Sequence, residues 1–505
     1  MIRMTMMLVA VAALVAMPVQ AQPAPERLGA VRVKIDNGPI VGVAHPTANV
    51  FRNIPFAAPP VGELRWAPPQ PVKAWTAPRD TALPGVSCPQ PMGATPNSGG
   101  ANGATSEDCL QLNVYAPKNA KRAPVMVWIH GGSHRTGAGW VYDGQNFARN
   151  GIVVVTINYR LGALGYFAHP ALTAAAKPGE AVGNYGLMDQ IAALKWVQRN
   201  IAAFGGDPKN VTVFGESAGG MSTLSLLATP SASGLYHKAI VESGVGWFRP
   251  VPLAKKEAED VALLAKAGLS GTTATELRAI PVEKLVPLDG DYQPFTDGRL
   301  MTETASQALA RGQFPDVPLI IGSNSGEDSL MGPGPVGADA ASRVTPAQRA
   351  AYRAEDAAGV DTLVRAAFTD RFMGAPARWV AAKTSSGKPS WLYYFSYVGS
   401  RFRPAMTRAT HAAEIQYVFE YWGRRTPMNV VSDEDKAMAA LMHACWVSFA
   451  RTGAPTCGPN TWPAYTPARD QLMEFGASSG VRTHFRKAQL DAQEIEVLPT
   501  LALGK

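Results

Sequence analysis

The 505-residue chain is 46% apolar and 17% charged, which excludes a disordered, collagenous or coiled-coil protein and calls for a large buried core. Its net charge of +8 comes from scattered basic residues, so no nucleic-acid footprint is present, and no solenoid or propeller repeat is visible. With 48 Gly and 41 Pro, many turns and long ordered loops are expected.

At the N-terminus, Arg3 precedes the apolar stretch Met4–Met17 and the small-x-small site Val19-Gln20-Ala21. Residues 1–21 therefore read as a secretory signal peptide, since the apolar span falls short of the roughly 20 residues a membrane crossing needs. The mature protein is expected to be secreted or periplasmic, without stable membrane insertion. Cys88, Cys109, Cys445 and Cys457 fit an oxidising compartment. Their spacing suggests Cys88–Cys109 and Cys445–Cys457 as local pairs, although the sequence alone permits three connectivities. No Cys-x-x-Cys or His-rich cluster accompanies them, so neither a metal nor a cofactor is expected.

Val31–Val43 alternates about Asn37-Gly38 as a hairpin with a tight turn. The stretch from Phe51 through Pro55, Pro59, Pro60 and Trp66 to Trp75 is too rich in proline for a helix or a central strand and reads as extended surface. Ser106–Tyr115 enters a strand, Val125–Ile129 is a buried strand ending at His130-Gly131-Gly132-Ser133, and Ile152–Ile157 is another. Gly186–Asn200 has helical spacing, and Val211–Phe214 is a short β-branched strand that runs into Gly215-Glu216-Ser217-Ala218-Gly219. An apolar, proline-free helix follows over Met221–Ala228. Ala239–Val241, Val317–Ile321 and the aromatic Trp391–Tyr397 are further strands, with helices around His411–Phe419 and Asp433–Phe449. Asp328–Ala377 carries no periodic pattern and reads as a cap over the site or as plain loop. Strands alternating with helices predict an α/β fold with a mostly parallel sheet covered on both faces.

Gly-x-Ser-x-Gly between a strand and a helix is the nucleophile elbow, a turn that exposes the serine hydroxyl. A serine needs a base, which histidine supplies best when an acid fixes its tautomer. On an elbow fold the order is Ser, acid, His, which leaves His237, His411, His443 and His484 after Ser217. His237 follows Ser217 too closely, His443 lies inside an apolar helix and His484 sits in a patternless tail, so His411 is the expected base. The acid belongs on the loop after Val317–Ile321, where Glu327 and Asp328 both qualify. Oxyanion donors are expected from the amide of Ala218 and from the Gly131-Gly132-Ser133 loop.

These pieces resemble the type-B carboxylesterase/cholinesterase family of α/β-hydrolases. The likeness rests on Phe204–Gly219, on Glu107-Asp108-Cys109-Leu110 with Leu112-Asn113-Val114, and on Asn158–Gly162, Gly183–Gln190 and Trp446–Gly453. The resemblance implies Ser217 as nucleophile, Glu327 rather than Asp328 as acid, His411 as base, and Gly132, Ser133 and Ala218 as oxyanion donors. It also implies Cys88–Cys109 as the family's N-terminal disulfide and Glu216 as a carboxylate that supports a cationic His411. Ser133, Gly326, Asp328 and Gln111 depart from the family's usual residues.

The expectation is therefore an exported serine hydrolase, a single catalytic domain over 22–505, acting on a small-molecule ester through an acyl-enzyme. Its rate should fall below about pH 6.5 if His411 keeps its ordinary value. Trp247, Phe248, Trp422 and part of Asp328–Ala377 are candidates to line the pocket. The alternatives are a non-catalytic adhesion or binding member of the same fold, and a lipase preferring long acyl chains.

Overall fold

Short runs rich in Val and Ile supply the strands, and these join a single sheet. The computed structural model describes residues 29–503 except 92–102, 315, 343, 424–425, 459–460 and 502, so the expected leader over 1–21 lies outside the described residues. The strands are β1 (Ala30–Ile35), β2 (Gly38–Ala44), β3 (Ala48–Pro55), β4 (Arg79–Asp80), β5 (Gln111–Pro117), β6 (Ala123–Ile129), β7 (Val153–Ile157), β8 (Gly206–Glu216), β9 (Lys238–Glu242), β10 (Leu319–Asn324), β11 (Ser390–Phe395), β12 (Gln471–Phe475) and β13 (Gly480–Thr483). Their order is β1-β2-β3-β5-β7-β6-β8-β9-β10-β11-β12-β13, with β4 beside β2. From β7 through β6, β8, β9, β10 and β11 to β12 every pairing is parallel. The antiparallel pairings fall towards the two ends. This is the mostly parallel, helix-covered sheet of an α/β-hydrolase.

The helices that position the site are α1 (Tyr185–Asn200), α2 (Ala218–Leu227), α3 (Val360–Thr369), α4 (Ala375–Thr384), α5 (Asp433–Thr452) and α6 (Lys487–Val497). Parallel strands buried on both faces read as continuous apolar runs because neither face meets water. Alternate side chains divide between two cores. Val125, Val127 and Ile129 of β6 share one core with Val153, Val155, Val211 and Val213 and with Leu187 and Leu194 of α1 and Leu224 of α2. Met126 and Trp128 turn the other way, joining Val154, Phe214 and Ile240 against Met438, Met442 and Trp446 of α5.

Three expectations are corrected. The first hairpin is one residue out: Ile35 pairs with Gly38, so Asp36 and Asn37 form the loop. Gly38 begins β2 with φ of +151°, and Trp75 packs where its side chain would be. Phe51–Pro55 is not surface but part of β3, paired with β5 across a register break between Phe51 and Ile54. Pro55 ends that strand, where a missing N–H costs least. Beyond it, Phe56, Ala57 and Trp66 are buried. Asp328–Ala377 is helical rather than loop, with α3 and α4 joined through the wide turn Asp370–Gly374. Its buried face leans on Leu363, Val364, Ala366 and Ala367, and alanine adds little contrast to a hydrophobic pattern.

Candidate active site

The elbow is built where β8 meets α2. Ser217 has φ of +56° and ψ of −122°, a backbone a serine rarely adopts and that costs about 1–3 kcal/mol. Its N–H donates to the Glu242 carbonyl of β9 at 2.8 Å, and its own carbonyl accepts from Met221 N at 2.9 Å. The flanking glycines are required by space. A Cβ on Gly215 would lie 2.6 Å from the Ile129 carbonyl oxygen and from the Gly219 backbone, and one on Gly219 would overlap the same Ile129 oxygen.

The loop Gly131–His134 leaves β6 beside this turn. A Cβ on Gly131 would stand 2.5 Å from Glu216 Oε2 and 3.0 Å from Ser217 Cβ, so the loop closes directly onto the elbow. Gly132, Ser133 and His134 all have positive φ. Among the described residues, none takes up the backbone N–H groups of Gly132, Ser133 or Ala218.

Glu327 opens the turn Glu327–Met331 after β10 and is fully buried. Its Oε1 accepts from Ser243 Oγ at 2.6 Å and from Asn324 N at 2.7 Å. Its Oε2 lies 2.5 Å from His411 Nδ1. Asp328 turns away, to Arg408 at 2.9 Å and Arg365 at 3.4 Å, so the ambiguity the residue types left open is absent from the geometry. His411 lies in a turn rather than a helix, since the helix that follows spans only Ile415–Val418. Its backbone is set by Ser329 Oγ, which accepts from His411 N at 2.9 Å, and by Gly326 N donating to the Ala409 carbonyl at 2.7 Å.

His411 Nε2 lies 3.1 Å from Glu216 Oε1 and makes no hydrogen bond, to Ser217 or to any other described residue. Burial opposes a charged imidazole here, but the carboxylates of Glu216 and Glu327 outweigh it and raise the His411 pKa to about 10. Burial lifts Glu216 to about 7, against the pull of His411. Two further buried carboxyls stand close by. Glu242 accepts from Trp446 Nε1 at 2.8 Å, and Glu414 accepts from Asn324 Nδ2, whose other contact is the Thr410 carbonyl at 2.9 Å. Burial and neighbouring carboxylates raise both, Glu414 to about 8 and Glu242 well above its ordinary value. Reading residue by residue missed Ser243, Asn324, Glu242 and Glu414. The available signal was a charged or amide residue closing an otherwise apolar strand, as in Ile240-Val241-Glu242 and Ile320–Asn324.

The remaining candidate histidines lie elsewhere. His237 Nδ1 accepts from Val211 N at 3.2 Å, His443 belongs to the buried face of α5 with Nδ1 2.7 Å from the Val418 carbonyl, and His484 sits 3.7 Å from Asp470. Ser217, His411, Glu216, Gly132 and Ser133 instead line one cavity of about 680 Å³. Its walls include Tyr142, Tyr397, Phe402, Phe419 and Trp422. Of the expected lining residues only Trp422 and, from Asp328–Ala377, Ser329 and Leu330 are present; Trp247 belongs to the core and Phe248 packs against it. Both cysteine pairs are disulfides, Cys88–Cys109 and Cys445–Cys457.

Comparison with known proteins points one way. The carboxylesterase family model matches residues 30–353 and 338–493. A fumonisin B1 esterase of Sphingopyxis macrogoltabida is 37% identical over 92% of this chain and 89% of its own length. The para-nitrobenzyl esterase of Bacillus subtilis (strain 168) is 35% identical over 85% of this chain and 91% of its own. Among solved structures, a Geobacillus stearothermophilus carboxylesterase at pH 6.2 superposes with a TM-score of 0.80 at 33% identity, covering 92% of this chain and 99% of that one.

Proposed function

The chain belongs to the carboxylesterase family and is a carboxylic ester hydrolase; from that premise we propose that it works through a Ser217–His411–Glu327 triad and an acyl-enzyme. The observation that carries this reading is the shared cavity. Ser217 at the elbow and His411 both line it, and the imidazole is held through Nδ1 by a buried carboxylate at 2.5 Å.

In the proposed cycle the neutral His411 takes the Ser217 proton at Nε2 as Oγ attacks the ester carbonyl. The new oxyanion is received by the N–H groups of Gly132, Ser133 and Ala218, and an imidazolium forms between Glu327 and Glu216. This step requires Nε2 to turn from Glu216 to Ser217 Oγ. His411 then protonates the departing alkoxide, and water attacks the acyl-serine by the same route in reverse. Each amide donor is worth about 3–4 kcal/mol of barrier in such sites. A cavity of about 680 Å³ falls within the range of small-molecule pockets.

The continuous sheet from β1 to β13 supports a single catalytic domain over 22–505. The signal-like sequence of residues 1–21 and the two disulfides support the reading of an exported protein. No described helix is long and apolar enough to cross a membrane. The deciding experiment is labelling with a fluorophosphonate reagent followed by peptide mapping. Modification of Ser217, with its loss and loss of ester hydrolysis in Ser217→Ala, is expected. Undiminished hydrolysis in Ser217→Ala refutes the reading, and would reopen a non-catalytic or differently catalysed role for this cavity. Rates on a series of p-nitrophenyl esters from acetate to palmitate separate an esterase from a lipase.

A further inference from the structure

The oxyanion loop and the helix behind Ser217 come from different parts of the chain, yet their amides must meet at one atom. Gly132, Ser133 and His134 have φ of +99°, +55° and +54°. A left-handed backbone costs a non-glycine residue about 1–2 kcal/mol, so two such residues in succession need an external hold. Part of that hold is backbone. Arg135 N and Thr136 N both donate to the Gly132 carbonyl at 2.9 Å, and Gly162 N donates to the His134 carbonyl at 2.7 Å.

The rest is the His134 ring, which is 1% exposed. Its Nε2 lies 3.0 Å from Ser222 Oγ, one turn into α2, and Gln190 Nε2 of α1 donates to that same hydroxyl at 3.0 Å. The Tyr166 ring packs on it at 4.8 Å between centroids, and the backbone carbonyls of Tyr292 and Ala218 face it. Burial drives its pKa down to about 3, so the imidazole is neutral, with one N–H and one lone pair. The Ser222 hydroxyl has one proton and two lone pairs, so it accepts from Gln190 and still bonds Nε2 in either tautomer of the ring. The bond to Ser222 and the packed Tyr166 ring together hold the imidazole in position and rotation.

We propose that His134 is a positioning residue for ester hydrolysis: its hydrogen bond to Ser222 locks the oxyanion loop to α2, so that the amides of Gly132 and Ser133 keep a fixed spacing from that of Ala218. This rests on the reading of Ser217 as nucleophile and of those amides as oxyanion donors. Catalytic geometry tolerates errors of only about 0.5 Å, and a neutral buried strut holds that tolerance better than packing alone. The oxyanion exists only in the transition state, so loosening the loop acts on kcat and leaves ground-state binding largely unaltered.

The test measures kcat and KM on p-nitrophenyl acetate, with active sites counted by fluorophosphonate labelling and melting temperatures recorded alongside. His134→Phe keeps a ring but no lone pair, His134→Gln keeps a donor and an acceptor, and Ser222→Ala removes the other end of the bond. In His134→Phe, kcat per labelled site is expected to fall about 10–100-fold, less than the roughly 10²–10³-fold for outright loss of an oxyanion donor, with KM within about threefold. His134→Gln should recover most of that loss. The double variant should be no worse than the poorer single one, because both break one bond. An unchanged kcat per site in His134→Phe, even with a lower melting temperature, overturns the proposal, as do additive losses in the double variant. If His134→Phe does not accumulate as folded protein, Ser222→Ala reads the same bond from its other end. Full turnover by Ser217→Ala removes the underlying reading and this proposal with it, whereas an inactive Ser217→Ala beside a fully active His134→Phe overturns this proposal alone.

Discussion

His411 stands between two carboxylates, Glu327 at 2.5 Å on Nδ1 and Glu216 at 3.1 Å from Nε2. A base must be neutral to accept a proton, and here burial loses to the two carboxylates, which raise the imidazole pKa to about 10. Below that value the imidazolium dominates, so activity climbs as pH rises. The acid limb of kcat/KM is therefore expected to have its midpoint above the ordinary 6.5, and Glu216→Gln should move it down by removing one of the stabilising charges. A wild-type midpoint at or below 6.5 contradicts this account. The expectation of a decline near pH 6.5 assumed an unperturbed histidine. The contact between Glu216 and His411, almost two hundred positions apart, was implied by the family resemblance alone, and the residue types by themselves did not carry it. A second contrast belongs to the loop after β10. Glu327→Gln is expected to lower kcat by roughly 10³–10⁴-fold, as loss of a triad acid does elsewhere. Asp328→Asn should stay within about threefold, because Arg408 and Arg365 hold that side chain away from His411. From residue types alone the two acids were equivalent. What separates them is the turn at Gly326, whose N–H is fixed by the Ala409 carbonyl, and sequence pattern does not encode that bond.

An element can be set by what its ends touch. α5 begins at Ser432, whose Oγ accepts from Asp435 N at 3.1 Å while Asp435 Oδ2 accepts from Ser432 N at 3.0 Å. The same carboxylate takes Ser400 Oγ at 2.8 Å and Tyr397 OH at 3.0 Å, so the helix cap also fixes an aromatic wall of the cavity. Burial works against the Asp435 charge, but the donors from Ser400 and Ser432 prevail and hold its pKa at about 2. A depressed carboxyl stabilises the fold above its ordinary value of 3.8, and that contribution is lost as pH falls towards 2. Urea unfolding of Asp435→Asn at pH 7 should show a deficit of about 1.5–3 kcal/mol, the range for hydrogen bonds to a charged group, and the deficit should shrink at pH 3. An equal deficit at both values would refute the electrostatic part. The helix itself was expected around Asp433–Phe449, and the structure adds the Ser432–Asp435 capping box at its start. In contrast, α3 and α4 were not expected, their buried sides mixing Leu363, Val364, Trp379 and Val380 with alanines and with the polar Thr369 and Arg378, and β3 was obscured by the prolines that follow it.

Across the whole molecule, the order of the site's parts was the most legible feature: loop, serine, acid and histidine lie along the chain as an elbow fold demands. The cavity wall was not legible, since Trp247 and Trp422 are the same residue type and only topology puts one in the core and the other at the site. The two disulfides act at this scale too. Cys88–Cys109 closes a loop of 21 residues, and Gln90 beside it exchanges hydrogen bonds with the backbone of Gly137, each 2.9 Å, at the far end of the oxyanion loop. Replacing both cysteines by serine is expected to cost about 3 kcal/mol of stability, seen as a lower melting temperature. A melting temperature within a degree or two of wild type would show that the link contributes little.

The sulfurs of that link are shut away from water, with Cys88 at 1% and Cys109 at 0% exposure. Dithiothreitol therefore has nothing to attack until the fold breathes. Loss of esterase activity in the presence of excess reductant should saturate with reductant concentration and rise steeply with temperature, because the slow step is opening of the protein rather than thiol exchange. An assay intended as a probe of redox chemistry would then work as a clock for unfolding.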